Sequence, residues 1–544
     1  MKKYIISFSI VLYAFAVPFL ELNNTHVFNP DWTPHVRIHE VWQLITNTGI
    51  GILCLWLVWF KNELKISALL SMLITGGFLL AYFIKDLYGG SMKYLDGSEK
   101  TLLGINIGVL GFGIAFILLL ATIKTKTPKN NGVNFFTVTL CFLFASSTFS
   151  QSVDQSQWIE DIDLYKSQLE QKHIDLYNKI SKVEFENEIH EIKTDIQSKN
   201  DVAIIIDLMQ LTHKIGDGHT AFSLRGVETH LFPIEIYKVN GKWRVIKVTK
   251  EYEYLLGKIL VGIDGKKFNR ICKEVSKVAQ YIENKQSKII RTGEYSMISE
   301  LLHGLNITDS EFKARFTFLD DSTGEKNNIL LRAISNKEYY GNTEFRFFQT
   351  TIPQVQKPTD TKHDYLWFSP IKDAKGVYIK FESYPSFEEM EEFGESVLEF
   401  INENDTENVV IDLRNNGGGD FFVGTFLAYY LNLADSIDWK SGVYVLTDKV
   451  TFSAATSNAS QFRQMLNAKI VGEPTGSNPT GYQDMGQFTL PNSGIIVTHS
   501  KRLFKFQDKS TEGVQPDVFI EYEWKSYSKG IDNMMQWIIS DINN

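Results

Sequence analysis

Four apolar runs of bilayer-spanning length, or close to it, crowd the start of the chain: Tyr4–Leu20, Val41–Phe60, Ile66–Ile84 and Leu102–Ile123. A helix of about 20 apolar residues matches the hydrocarbon thickness of a membrane and satisfies its own backbone there. Several such runs in succession therefore predict a membrane bundle. A fifth run, Phe135–Phe149, is shorter. Lys2 and Lys3 precede the first run, Lys61 and Lys65 fill the second gap, and Lys124, Lys126 and Lys129 fill the fourth. Short basic loops stay on the cytoplasmic side. The fifth run then leads residues 151–544 out of the cytoplasm.

That fifth run has two readings. It is either a fifth spanning helix or an internal secretory signal, with basic Lys124–Lys129, apolar Phe135–Ala145 and a small-residue tail Ser146–Ser150 before Gln151. The first outer loop carries His26, His35 and His39 with Asp31 and Glu40. These form either a metal or proton site, or an interfacial loop anchored by Trp32 and Trp42. His39-Glu40 and His190-Glu191 both lack the second histidine of a zinc-protease motif. Three cysteines, Cys54, Cys141 and Cys272, with no CxxC, build neither a disulfide framework nor a thiolate zinc site. No metal or cofactor is expected.

Charge separates the two parts. Residues 1–150 hold 11 Lys and Arg against 7 Asp and Glu, leaving 44 against 57 in the remaining 394 residues. An acidic globular part without a basic stripe argues against nucleic acid as a partner. Within it, residues 155–215 show helical periodicity, with Leu164, Leu169, Leu176, Tyr177 and Ile180 spaced between charges. Ser181 and Glu184 form a capping-box pattern, and a third helix over about Val202–His213 stops at Gly216-Asp217-Gly218. Short strands follow at Phe232–Val239, Trp243–Val248 and Ile259–Ile263, with more around the turn at Asp320–Glu325. After about residue 374 strands and helices alternate: Val377–Phe381, a helix 386–402, Val409–Leu413, a helix 420–432, Val443–Leu446, a helix 454–466 and Lys469–Val471. Such alternation predicts an α/β core with parallel pairing.

Three segments of that part carry candidate chemistry. In Asp412-Leu-Arg-Asn-Asn-Gly417-Gly418-Gly419-Asp420 a buried strand runs into three glycines at a helix start, which suits an oxyanion site or a plain tight turn. In Thr451-Phe-Ser453-Ala454-Ala455 a serine with small neighbours sits where strand becomes helix, as a nucleophile or as an N-cap. In Gly216-Asp217-Gly218-His219-Thr220 a histidine follows a glycine turn, as a general base or a structural residue.

Together these segments resemble the tail-specific, or C-terminal processing, serine peptidases, the group that includes the tricorn protease core and the repeats of interphotoreceptor retinoid-binding protein. The matching stretches are DGHT at 217–220, DLRNNGGGD at 412–420, FSAA at 452–455, VGEPTG at 471–476, LPNSG at 490–494 and EGVQPDV at 512–518. The resemblance covers roughly 155–540. Relatives of the bacterial processing branch place a lysine shortly after the GEPT-like stretch, where this chain has Asn478. The tricorn-like branch uses the histidine of the DxH segment and a glutamate near the C-terminal PD motif, which here are His219 and Glu512.

The resemblance thus implies Ser453 as nucleophile, His219 as base and Glu512 as the acid that orients the imidazole directly or through water. It implies an oxyanion hole from the backbone of Gly417, Gly418 and Ala454. Two positions depart from the pattern: Thr456 follows Ala455 where many relatives carry Glu, and Gly218 precedes His219 where Ser is common. Gly257–Phe268 resembles the end of a PDZ domain, which in this family helps to select substrate C-termini.

The expected architecture is an α-helical membrane bundle followed by an α/β, ClpP/crotonase-like peptidase core with an N-terminal helical part and a PDZ-like β insert. Its divisions are a four-helix membrane module (1–133), a spanning or signal-like segment (134–150), a helical part with DGHT (151–225), a PDZ-like β-rich insert (226–360) and the peptidase core (361–544). The expected function is a membrane-anchored serine endopeptidase, acting on peptides or protein tails on the periplasmic side of the cytoplasmic membrane. The alternative is an inactive peptidase-like domain that binds peptides or apolar ligands. The expected partners are a peptide or protein substrate and the lipid bilayer. Reporter fusions placed after Lys65 and after Gln155 should report opposite compartments; the same compartment for both would remove the five-helix topology.

Overall fold

The structure, a computed structural model, describes residues 2–22, 27, 34–85, 101–102, 105–124, 154–341, 343–372 and 374–544. The chain divides into two compact units, Met1–Gln151 and Ser152–Asn544. In the first, Lys2–Glu21, Arg37–Lys61 and Leu64–Phe83 are helices long and apolar enough to cross a membrane. Twenty residues at the helical rise reach about 30 Å, the thickness of a hydrocarbon core. The fourth apolar run forms the helix Ile107–Lys124, whose apolar stretch is shorter. Phe19, Trp42, Phe60 and Leu73 point outward, while Ser67, Ser71 and Thr75 are buried. Tyr13 and Ser71 pair their hydroxyls at 3.1 Å. At Gly51 any Cβ would collide with Ala14, so a small residue permits close helix approach. The fifth run, 135–149, the Ser150–Gln151 junction, His26 and Asp31 lie outside the described residues.

The second unit opens with three helices, α1 (Gln155–Lys172), α2 (Lys182–Asp195) and α3 (Asp201–Ile215). Helix α3 ends at Gly216, whose φ of +75° is the left-handed stop that glycine favours. Then come β1 (Ala221–Ser223), β2 (Ile234–Val239), β3 (Lys242–Thr249) and β4 (Ile259–Ile263). Helices α4 (Phe268–Val275), α5 (Lys285–Tyr295) and α6 (Ser299–Gly304) precede β5 (Lys313–Leu319), β6 (Lys326–Arg332) and β7 (Phe345–Phe347). The insert is thus less purely β than its strand patterns suggested. Helix α4 buries Phe268, Ile271 and Val275 on one side, a helical spacing too brief to stand out from the surrounding polar residues. The insert's sheet runs β6-β5-β4-β3-β7, with β2 paired to β3.

The last part comprises β8 (Leu366–Ile371), β9 (Gly376–Phe381), α7 (Phe387–Glu403), β10 (Asn408–Asp412), α8 (Phe421–Leu431), β11 (Val443–Thr447), α9 (Ala454–Met465) and β12 (Lys469–Gly472). It closes with the hairpin β13 (Thr480–Thr489) and β14 (Ile496–Lys505), then β15 (Val518–Phe519) and α10 (Asn533–Ile542). The central sheet runs β8-β9-β10-β11-β12-β15. Only the β8–β9 pair is antiparallel. Its strands are buried on both faces. Val409, Ile411, Val443 and Val445 pack under α7, α8 and α9, whereas Val410, Tyr444 and Leu446 meet Met534, Met535 and Ile538 of α10.

One buried ion cluster locks the carboxyl end of this sheet. Arg414 donates to Asp412 at 2.9 and 2.7 Å and to Asp532 at 3.0 and 2.7 Å. Tyr378 adds a hydroxyl to Asp412 at 2.6 Å. All the charged members are buried. Removing the cation leaves two buried carboxylates without a counter-charge. Arg414→Met should therefore destabilise the second unit by about 3–5 kcal/mol, read as a lower denaturation midpoint of the full chain in detergent.

Candidate active site

Asp448 folds the connection from β11 to α9. Its Oδ1 accepts the Val450 and Thr451 N–H groups, both at 2.9 Å. The turn leaves Ser453 at φ +52°, ψ −124°. For a residue with a Cβ that conformation costs about 1–3 kcal/mol and persists only where neighbours enforce it. Ser477 Oγ does so by accepting the Ser453 N–H at 2.7 Å. Ser477 is itself held at 2.8 Å by Thr456, whose hydroxyl also reaches the Thr451 carbonyl at 3.1 Å. The departure at Thr456 thus has a local reason, since it braces the residue that pins Ser453.

His219 reaches Ser453 from 234 positions away, with Nε2 2.8 Å from Oγ. Strand β1, just after it, pairs with β14 through Ala221 and Thr498. Thr498 donates to the His219 carbonyl at 2.8 Å. Asp217 organises the turn before it. Its Oδ1 accepts from His219 N, Thr220 N and Ser500 Oγ at 2.9, 2.8 and 2.6 Å. Its Oδ2 lies 2.8 Å from His173 Nε2. Because His173 Nδ1 accepts the Asp175 N–H, Nε2 carries the proton and donates. Burial pushes the Asp217 carboxyl up, but His173 and these donors outweigh it and hold the group at about 2. Burial pushes the His219 imidazole below its ordinary value, with Asp217, the Tyr482 carbonyl and Asp484 pulling the other way. The ring lies 5.4 Å from that of Phe452.

The glycine turn after β10 closes over the serine. Asn416 donates to the Phe381 carbonyl at 2.8 Å, and its own carbonyl accepts the Phe452 N–H at 2.9 Å. Gly418 has φ +103°, and a Cβ there would lie 2.6 Å from Ser453 Cβ. Asn416 Oδ1 takes the Gly418 N–H at 2.9 Å. Of the three N–H groups expected to face an oxyanion, this one is therefore already engaged. Ala454 opens α9, where the first N–H groups have no helical acceptor.

Glu512 does not join the pair by contact. It is exposed, and its carboxylate has no hydrogen bond or ion pair among the described residues. Its loop is set by Gly513, at φ +78°, whose N–H goes to Asn478 at 2.8 Å, and by Gln515, which donates to the Glu512 carbonyl at 2.6 Å. Among the described residues His219 Nδ1 is buried with no partner within hydrogen-bond distance. Asn478, standing where a lysine base would be, ties segments together: it also accepts from Asn284 at 3.0 Å. Among the described residues no lysine lines the cavity at Ser453. Lys449, four positions from Ser453, is buried and paired with Glu473. Sequence patterns offered no signal for His173 or Ser477, which are ordinary polar residues until the fold collects them, whereas Asn416 lies within the Asp412–Asp420 stretch.

Ser453 and His219 open into a cavity of about 1340 Å³. Phe452, Phe421 and Phe504 line it, as do Ile236 and Tyr237 of β2 and Ile290 and Tyr295 of α5. The arrangement sets a serine hydroxyl against a histidine ring in the wall of a large cavity whose lining mixes aromatic, aliphatic and charged side chains.

Residues 423–520 match the family described as peptidase family S41. Among solved structures, mature CPAF is similar with a TM-score of 0.54 and 12% identity over 71% of this chain and 96% of that one. Mature CPAF complexed with lactacystin gives 0.53 and 11% over 71% and 98%. At such identity the likeness is one of fold. The depressed His219 has a consequence for pH: the imidazole stays neutral, and able to take a proton, below the usual histidine range. The acid limb of kcat/KM should therefore lie under about 6.5, measured as a pH–rate profile.

Proposed function

Starting from the fact that this chain is a serine-type peptidase of family S41, we propose that Ser453 is its nucleophile and His219 its general base, in a membrane-anchored endopeptidase working outside the cytoplasm. The observation that carries this reading is the 2.8 Å approach of His219 Nε2 to the strained Ser453. His219 takes the Ser453 proton as Oγ attacks a peptide carbonyl, then returns it to the leaving amine. The backbone N–H of Ala454, with that of Gly417, stabilises the oxyanion. Gly418 serves by allowing the close approach of its turn. Glu512 acts through water rather than by contact.

The substrate path follows from the insert. Among the described residues strand β2 has one strand partner, β3, and its residues share the cavity with α5 and Ser453. An extended peptide adding to the other edge of β2 would lie in a PDZ-like groove and lead to the serine, with main-chain bonds giving affinity and the side chains of the lining giving preference. The apolar helices of the first unit hold the enzyme at the bilayer.

The test is labelling of the full chain, in detergent, by a fluorophosphonate probe. Ser453 should be labelled and Ser453→Ala should not. His219→Ala should lose about 10⁴-fold or more in rate. Glu512→Gln should lose at least about a hundredfold, but less than His219→Ala. Absence of labelling at intact Ser453 would favour the binding-domain alternative, and near-normal rates in His219→Ala would remove the Ser–His assignment.

A further inference from the structure

A second acid lies against the site, and the steps above do not use it. Glu283 stands just before α5. Its carboxyl is wedged between two glycines. A Cβ at Gly218 would lie 2.9 Å from its Oε2 and 2.8 Å from the Phe452 ring, and a Cβ at Gly481 would collide with its Oε1. Gly218 immediately precedes His219, and Gly481 immediately precedes Tyr482, whose carbonyl faces the imidazole. The acid therefore fills the gap between the two backbone segments that hold the ring. It also explains why Gly218 lacks a side chain: the space is occupied from the other side.

Its own placement is rigid. The Glu283 N–H bonds Ser287 Oγ at 3.0 Å. The next residue, Asn284, caps α5 through Gln286 N and Ser287 N at 2.9 and 3.1 Å. Asn284 Nδ2 reaches across to the Thr475 carbonyl at 3.1 Å and to Asn478 at 3.0 Å. Oε2 is closed to solvent and has no hydrogen-bond partner among the described residues.

We propose that Glu283 is a positioning residue for His219, a buried carboxyl that spaces the Gly218 and Gly481 segments and so keeps the imidazole aimed at Ser453. This rests on the Ser453–His219 reading. Burial, together with the Asp217 carboxylate, pushes the Glu283 carboxyl up to about 8, against the Asn478 backbone N–H and Lys179. Lys179 is itself tied to the Gly216 carbonyl. A neutral carboxyl tolerates burial with one oxygen unpartnered far better than a carboxylate does. As pH rises through about 8 the group ionises beside Asp217, which already carries its charge. Repulsion then drives the carboxylate out of the wedge and the ring loses its support.

The experiment measures the rate of fluorophosphonate labelling of Ser453 in the full chain in detergent, from about pH 5 to about pH 10. The unaltered chain should lose rate on an alkaline limb near pH 8. Glu283→Gln, which keeps shape without the titration, should stay within about threefold at neutral pH and lack that limb. Glu283→Ala should be slower by about 10- to 100-fold at neutral pH. An alkaline limb unchanged in Glu283→Gln, or normal rates in Glu283→Ala, would overturn the assignment while leaving the nucleophile in place. No labelling of the unaltered chain at any pH would overturn the Ser–His reading and this one together.

Discussion

Everything at the site depends on one buried carboxylate. Asp217 gathers the amides of His219 and Thr220, the Ser500 hydroxyl and the His173 ring around a single charge. Those donors belong to the turn after α3, to β14 and to the loop after α1, so the charge joins the two ends of the second unit. An ionised carboxylate buried this deeply is stable only when its lone pairs are filled by donors. Filling them places β1 against β14 and delivers His219 to Ser453. The residue that reads in the sequence as a flanking acid is thus the anchor that brings His219 to Ser453.

A second charge cluster does the corresponding work for the serine. Arg414, bound on both sides by Asp412 and Asp532, fixes the end of β10 and the start of α10. The turn of Asn415–Gly419 then projects from a rigid base. Gly418 passes so near Ser453 that only glycine fits. On the other side Asp448, Ser477 and Thr456 hold Ser453 in its strained conformation. Strain at Ser453 and pinned polar groups around it are two aspects of one design: the backbone is kept in a costly shape by hydrogen bonds that have nowhere else to go.

Much of the fold was legible in the chain itself. The expected helix 454–466 is Ala454–Met465, and the expected strands at 377–381, 409–413 and 443–446 are Gly376–Phe381, Asn408–Asp412 and Val443–Thr447. Fully buried parallel strands announce themselves as short β-branched runs between glycine-rich turns. The insert was read less completely. Helices α4, α5 and α6 are short, and their few apolar residues lie among lysines and serines that blur any period.

Local pattern determined what local pattern controls. Apolar run length marked the helices able to cross a membrane, alternation marked the α/β core, and small residues flanking Ser453 marked a sharp strand-to-helix turn. The motif set also pointed to Ser453 and His219 as partners. Tertiary structure alone decided how that partnership is made and which acids lie near it. His219 and Ser453 are 234 residues apart, and their meeting depends on the register of three-residue β1 against β14. Glu512 carries the motif yet faces solvent, because Gly513 and Asn478 turn its loop outward. Glu283 carries no motif yet fills the space beside the histidine. Whether an acid is hydrated or enclosed depends on neighbours brought in from distant segments, and no spacing along the chain encodes that.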